Sequence, residues 1–347
     1  MAADLVEQPA VFARLLDERV GEIAAVAARV AQHRPRRVIF TARGTSDHAA
    51  LYGAYLAEIR LGLSAGLASP STITLYGARP DLRDCLVVGV SQSGVSPDLA
   101  QVVEVAREQG ALTLAVTNAP DSPLARAAQW HVDVAAGAER AVAATKTYTA
   151  QLLALLLLIE GMAGPDGKPA PSVLADLARL PELAADLLAD PTPEQVADRY
   201  RFADRMVVTG RGYAYPTARE AALKVMETSY LAALAFSGAD LLHGPLALAD
   251  PDVPVLAVVG AGPGGAAMQE VLTRLGERRA DLVVVGPERE DTEPARVAVR
   301  LATPAVDERY APLLDILPVQ KLARALALAR GEDPDAPRGL HKVTTTL

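Results

Sequence analysis

Short, almost wholly apolar runs alternate with longer stretches of helical spacing along most of the chain. In the first half these runs are RVIFTA (37–42), CLVVGV (85–90), LTLAVT (112–117) and HVDVAA (131–136), each followed by a turn or a helix. They are continuously apolar rather than alternating, as expected of strands inside a parallel sheet covered by helices on both faces. The second half repeats the plan with RMVVTG (205–210), VPVLAVVG (253–260), DLVVVG (281–286) and VRLAT (299–303). The pattern predicts an α/β protein built on parallel sheets.

The two halves also correspond in detail. Arg43-Gly44 after the first strand matches Arg211-Gly212, Val87-Val88-Gly89 matches Val258-Val259-Gly260, and Val116 matches Val285, all at nearly one offset. Such self-similarity marks an internal duplication. The expected organisation is a helical arm over 1–35, a first domain over 36–165, a Pro-bounded helical linker over 166–196, a second domain over 197–330 and a polar tail over 331–347.

Composition narrows the partners. The net charge is −8 over 347 residues, so nothing suggests binding to nucleic acid or to an anionic membrane surface. Cys85 is the single cysteine and lies in an apolar run, where it reads as a buried, inert thiol; disulfides and a zinc cage within the chain are excluded. The N-terminus lacks the features of a signal peptide. The Leu run after Gln151 meets Glu160 too early to span a bilayer and reads as a helix buried in a core or a subunit interface. A soluble, cytoplasmic protein is expected.

In open parallel sheets, ligands bind beyond the carboxyl ends of strands, near the starts of the following helices. At one such end stands VSQSGVSPD (90–98). A helix beginning at Pro97 would aim its unpaired N–H groups at Ser91, Gln92, Ser93 and Gly94, with Ser96 alongside. The spacing allows a phosphate cradle built without Lys or Arg, or a serine cap in an ordinary turn. ARGTSDHAA repeats the geometry after the first strand, with Thr45 and Ser46 at the cap. GAGPGG (260–265) looks like a dinucleotide fingerprint but lacks the downstream context. In TAREAALKVMETSY, Glu220, Lys224 and Glu227 share one helical face. That spacing fits a solvated salt-bridge ladder or, with His243 nearby, groups able to move protons on a sugar.

The segments RGTS, SQSG, VAATKTYTAQL, GRGYAYPTAREAALKVMETSY and LLHGPLALAD, with EQP near the start and PRGLHKVT near the end, closely resemble the sugar isomerase (SIS) family. The resemblance is to the isomerase half of the glutamine:fructose-6-phosphate aminotransferases. It covers essentially the whole chain and implies two tandem flavodoxin-like three-layer domains. It also implies phosphate binding by Thr45, Ser46, Ser91, Gln92, Ser93, Gly94 and Ser96, and a sugar site lined by Val142 and Thr145. On the same resemblance Glu227 matches the base that moves a proton between C1 and C2, with Lys224 and Glu220 as its helix neighbours. His243 matches a ring-opening residue supplied by the partner of a homodimer with a shared active site, and Lys342 a C-terminal lysine that forms a Schiff base with the open-chain sugar. No metal or organic cofactor is implied. No glutaminase cysteine is present, and SQSGVSPD differs from the synthase loop. The expected activity is therefore that of a stand-alone deaminase/isomerase turning glucosamine 6-phosphate into fructose 6-phosphate and ammonia. A galactosamine-6-phosphate enzyme, a fructosamine-6-phosphate deglycase, a plain aldose–ketose isomerase and a non-catalytic sugar-phosphate sensor are the alternatives.

Overall fold

The computed structural model describes residues 1–288 and 297–342. Among the described residues, ten strands form two five-stranded parallel sheets. The first contains β1 (Arg37–Thr41), β2 (Ser64–Leu67), β3 (Cys85–Ser91), β4 (Leu112–Thr117) and β5 (Trp130–Asp133), in the order β2-β1-β3-β4-β5. The second contains β6 (Arg205–Gly210), β7 (Ala232–Ser237), β8 (Pro254–Val258), β9 (Asp281–Gly286) and β10 (Val297–Ala302). Its order, β10-β9-β8-β6-β7, is the same topology read from the other edge. The duplication inferred from sequence is thus a duplication of topology.

The chain folds as two units. Glu7–Glu139 and Lys146–Pro181 form one; Met1–Val6, Arg140–Thr145 and Glu182–Leu340 form the other. In the first unit all seven residues of β3 are buried, because helices cover both faces of the sheet. One face packs Cys85, Val87 and Ala115 against Leu99, Val102 and Val103 of the helix Pro97–Glu108. On the other lie the helices Val20–His33, Thr45–Leu61 and Lys146–Ala163. There a Cβ added at Gly53 would come within 2.9 Å of the Phe40 ring, so helix and strand meet at close range. The Leu run forms Lys146–Ala163, buried through Gly161. Its Glu160 carboxylate is clamped by Arg60 at 2.7 and 3.1 Å. Among the described residues no helix is long and apolar enough to cross a membrane.

In the second unit, Val207, Val255, Ala257 and Val284 pack against Met268, Val271 and Leu275 of the helix Pro263–Glu277. The opposite layer holds Ala214–Ser229 against Ala311–Ala329, tied where the Thr228 hydroxyl donates to the Ala323 carbonyl at 3.2 Å.

The arm is pinned by ionic and polar contacts. Lys146, fully buried at the start of its helix, donates to Glu7, and the Thr149 hydroxyl donates to Gln8 at 2.9 Å. A cation is disfavoured at a helix N-terminus, and Glu7 offsets it. The EQP and ATK segments that stood out in the sequence are therefore partners. Cys85 is buried, and burial pushes its thiol up.

Two strands have no counterpart in the sequence reading, β2 and β7. They occupy the same edge of the two sheets, each paired on one side only. An edge strand needs less apolar surface. SAGL is short, and the Ala-rich AALAFS continues the composition of the helix before it.

Candidate functional site

The first group of candidate residues lies at the carboxyl ends of β1 and β3. Their register, Thr41 opposite Gly89, brings the chain after β1 beside the chain after β3. The helix after β3 begins at Pro97, as the sequence predicted, and Ser96 takes the N-cap position with extended backbone. Its hydroxyl makes no cap hydrogen bond, so the serine there does not do the work of an ordinary cap. Gly94 has φ +64°, and an added Cβ would lie 2.2 Å from Ser122 Oγ and 2.5 Å from its Cβ. Only glycine fits, on both conformational and steric grounds. The turn is fixed by the Gly94 N–H donating to Ser91 Oγ (3.0 Å) and by two carbonyls accepting from the neighbouring loop, Gln92 from Asn118 N–H (3.2 Å) and Gly94 from Leu124 N–H (3.0 Å). Ser93 Oγ lies 3.5 Å from the Val95 N–H, and Gln92, Ser93 and Ser96 are half-buried.

After β1 the structure corrects the expected cap. Gly44, at φ +54° and ψ −129°, is the N-cap, and Thr45 and Ser46 are the first two helical residues. At that positive φ a glycine is the residue without strain, so the position before Thr45 takes the cap. Ser46 is buried and accepts a hydrogen bond from Gln151 Nε2 at 3.0 Å, which directs its own hydroxyl hydrogen elsewhere.

A second correction concerns charge. The loop is not without arginine: Arg43 donates to Asp98 Oδ2 through Nε at 2.9 Å and Nη2 at 2.7 Å. Asp98 is fully buried in the first turn of the Pro97 helix. The available signals were the acidic residue in that first turn and the Arg directly before Gly44, but their pairing joins residues 55 apart.

The second group lies on the helix Ala214–Ser229, which follows β6. Lys224 is fully buried, with Nζ 2.5 Å from Glu227 Oε2 and 3.4 Å from Glu220 Oε1. Glu220 is equally buried, whereas the Glu227 side chain keeps 21% of its exposure. Desolvation works to lower the Lys224 pKa, but the two carboxylates overcome it, leaving the ammonium held above its ordinary value. The salt-bridge ladder is therefore largely buried, and of its three members only Glu227 reaches solvent.

Val142 and Thr145 lie on Arg140–Thr145, which groups with this unit. Buried Asp4 accepts the N–H groups of Arg140 (3.1 Å) and Ala141 (2.9 Å), and Gln320 Nε2 donates to the Thr145 carbonyl at 3.4 Å. His243 is exposed at the end of the short helix Gly238–Leu242, its backbone N–H donating to the Asp240 carbonyl at 3.0 Å. Lys342 is half-buried at the edge of the described residues. Residues 343–347 of the expected tail lie outside them.

GAGPGG is occupied from within. Glu308 accepts the N–H groups of Gly264 (3.2 Å) and Gly265 (3.0 Å), and a Cβ on Gly262 or Gly264 would fall within 2.6 Å of its carboxylate. The glycines make room for a side chain of the same chain.

Two like-ordered parallel five-stranded sheets, each covered by helices on both faces, define a duplicated α/β protein. The chain belongs to the SIS domain family, whose model matches residues 33–161 and 200–330. It is 34% identical over 99% of its length to a glutamine–fructose-6-phosphate aminotransferase (isomerizing) of Thermococcus kodakarensis, and spans 58% of that protein. It is homologous to the C-terminal isomerase half of such enzymes. Among solved structures it superposes on a candidate phosphosugar isomerase from Silicibacter pomeroyi DSS-3, with TM-score 0.86, 34% identity, and 96% and 99% of the two chains covered. It also matches the C-terminal domain of glucosamine-fructose-6-phosphate aminotransferase from Francisella tularensis, with TM-score 0.85, 25% identity, and 96% and 97% covered.

Proposed function

We propose that this protein is a phosphosugar isomerase that acts as an amino-sugar-phosphate deaminase, converting glucosamine 6-phosphate to fructose 6-phosphate and ammonia. The observation that carries the reading is the Glu220–Lys224–Glu227 cluster, buried except for Glu227. A carboxylate that keeps solvent access beside a buried ammonium is suited to act as a positioned base. The Ser91–Ser96 turn, whose cap serine is not spent on the helix, supports phosphate binding, as does family membership.

In this reading the phosphate is held by the Ser91–Ser96 turn with Thr45 and Ser46, and Val142 and Thr145 line the sugar. His243 of the partner subunit opens the ring, which makes the protein a homodimer, and Lys342 engages the C1 carbonyl. Glu227 takes the C2 proton of the open-chain aldose and returns it to C1, while the C1 oxygen gains a proton and the C2 amine loses one. The product is a 1-hydroxy ketimine at C2, and water hydrolyses it to the ketone and ammonia. Lys224 holds Glu227 in place, and Glu220 holds Lys224. No metal or organic cofactor enters these steps. The substrates are charged and membrane-impermeant, so the reading places the protein in the cytoplasm.

Ammonia release from glucosamine 6-phosphate, with galactosamine 6-phosphate alongside and Glu227→Gln as control, tests the reading. Release that is lost in Glu227→Gln supports it. Conversion of glucose 6-phosphate to fructose 6-phosphate without ammonia release would replace it with plain aldose–ketose isomerisation.

A further inference from the structure

Arg43 follows the end of β1 by two residues, and β1 pairs with β3 up to Thr41 and Gly89, two residues before the SQSG turn begins at Ser91. From there its guanidinium reaches Asp98, just beyond the end of that turn. The side chain thus ties the loop after β1 to the first turn of the helix that follows the SQSG turn. Both donated hydrogen bonds go to one oxygen, Asp98 Oδ2, while Oδ1 accepts the Leu99 N–H at 2.9 Å. Asp98 is fully buried and Arg43 is 48% exposed. The guanidinium is therefore fixed along one edge and presents the other outward; among the described residues, Nη1 takes no partner.

The electrostatics of this position favour an anion. Arg43 lies beside the N-termini of the helices Thr45–Leu61 and Pro97–Glu108, each carrying roughly half a positive charge, where a cation is ordinarily disfavoured. Asp98 and Asp47, in the first turns of the two helices, offset much of this charge, so what Arg43 adds for an anion is the free edge of its guanidinium beside two helix N-termini rather than a large net positive charge. The second repeat offers an internal comparison. Its helix Pro263–Glu277 begins in the same way, but Gly264 follows the proline where Asp98 does in the first repeat, and Glu308 receives the first N–H groups. There the chain supplies its own anion.

Resting on the phosphosugar reading above, we propose that Arg43 is a phosphate-binding residue, its fork held by Asp98 so that the remaining N–H groups grip the phosphoryl oxygens of the substrate. A planar guanidinium matches two phosphate oxygens at once, which a lysine ammonium does not.

Calorimetric titration of inorganic phosphate and of glucitol 6-phosphate, an unreactive ligand, into wild type, Arg43→Lys and Arg43→Ala tests this. The expected result is that Arg43→Ala weakens both ligands about ten- to a hundredfold, with Arg43→Lys between the two. In turnover, KM for the sugar phosphate rises more than kcat falls. Thermal midpoints report folding. Should Arg43→Ala fail to fold, because Asp98 loses its partner, the double variant Arg43→Ala/Asp98→Asn removes the buried charge and carries the same expectation. Wild type and folded Arg43 variants binding both ligands equally well would overturn the assignment and leave the phosphosugar reading intact. Failure of wild type to bind either ligand would overturn both.

Discussion

Asp315 lies inside the helix Ala311–Ala329 with 2% exposure. Its Oδ1 accepts the Thr303 hydroxyl at 2.7 Å, and among the described residues Oδ2 has no partner. Desolvation pushes this carboxyl from 3.8 up to about 7; the Thr303 hydrogen bond opposes the shift and the nearby charge of Glu308 adds to it. The folded-state value is raised, so the stability contributed by the neutral carboxyl is fully present below 3.8 and is lost as pH rises through about 7. Roughly three pH units at about 1.4 kcal/mol each give about 4 kcal/mol of stability lost between acid and neutral pH. Asp315→Asn keeps an acceptor for Thr303 and never ionises. It is expected to be more stable than wild type at pH 8 by up to about 4 kcal/mol, with the gap narrowing through pH 6 and closing near pH 4. Urea unfolding of both proteins at half-unit pH steps measures that gap, and groups common to both cancel in the difference. A gap that stays constant from pH 4 to 8, or a variant less stable at pH 8, would refute the reasoning.

Gly94→Ala introduces a methyl group against Ser122 at a positive φ; it is expected to cost about 1–3 kcal/mol in thermal unfolding and to weaken inorganic phosphate binding at least tenfold, and unchanged phosphate affinity would count against the turn as the phosphate site. Glu7→Ala takes the ionic partner from buried Lys146; because Glu7 is itself partly exposed, the expected loss is about 2 kcal/mol, read as a lowered urea midpoint with Glu7→Asp intermediate. The raised Lys224 pKa means that the ammonium's contribution is intact below 10.5 and lost as pH rises further. Wild type should therefore lose stability above that pH with a slope that Lys224→Met lacks, and parallel profiles would show that Lys224 does not titrate there.

Much of the fold was legible because strand burial is written locally. β4, β6 and β9 fall on the predicted residues, and β1, β3, β5, β8 and β10 differ from prediction only at their ends. The two strands that escaped are edge strands, where one-sided pairing relaxes the demand for apolar residues. In the candidate site, the shared face of Glu220, Lys224 and Glu227 follows from helical period alone, and Pro97 marked its helix start. The expected cap at Thr45 and Ser46 moved one residue back to Gly44, because the composition suited either position and helix ends are the least sharply written part of a sequence.

What the sequence by itself determined is whatever depends on neighbours within a turn or a strand: the alternation of elements, the duplication and the common face of the carboxylate–amine cluster. Only the tertiary structure decided which distant groups meet. Arg43 and Asp98 are 55 residues apart and Glu7 and Lys146 are 139 apart, and Glu308 reaches back to the glycines in the first turn of the Pro263 helix. Burial separated Glu227 from Glu220 in the same way. On one helical face the two glutamates are chemically alike, and the layers packed around that helix leave solvent access to Glu227 alone, because desolvation depends on everything that surrounds a group rather than on its place in the chain.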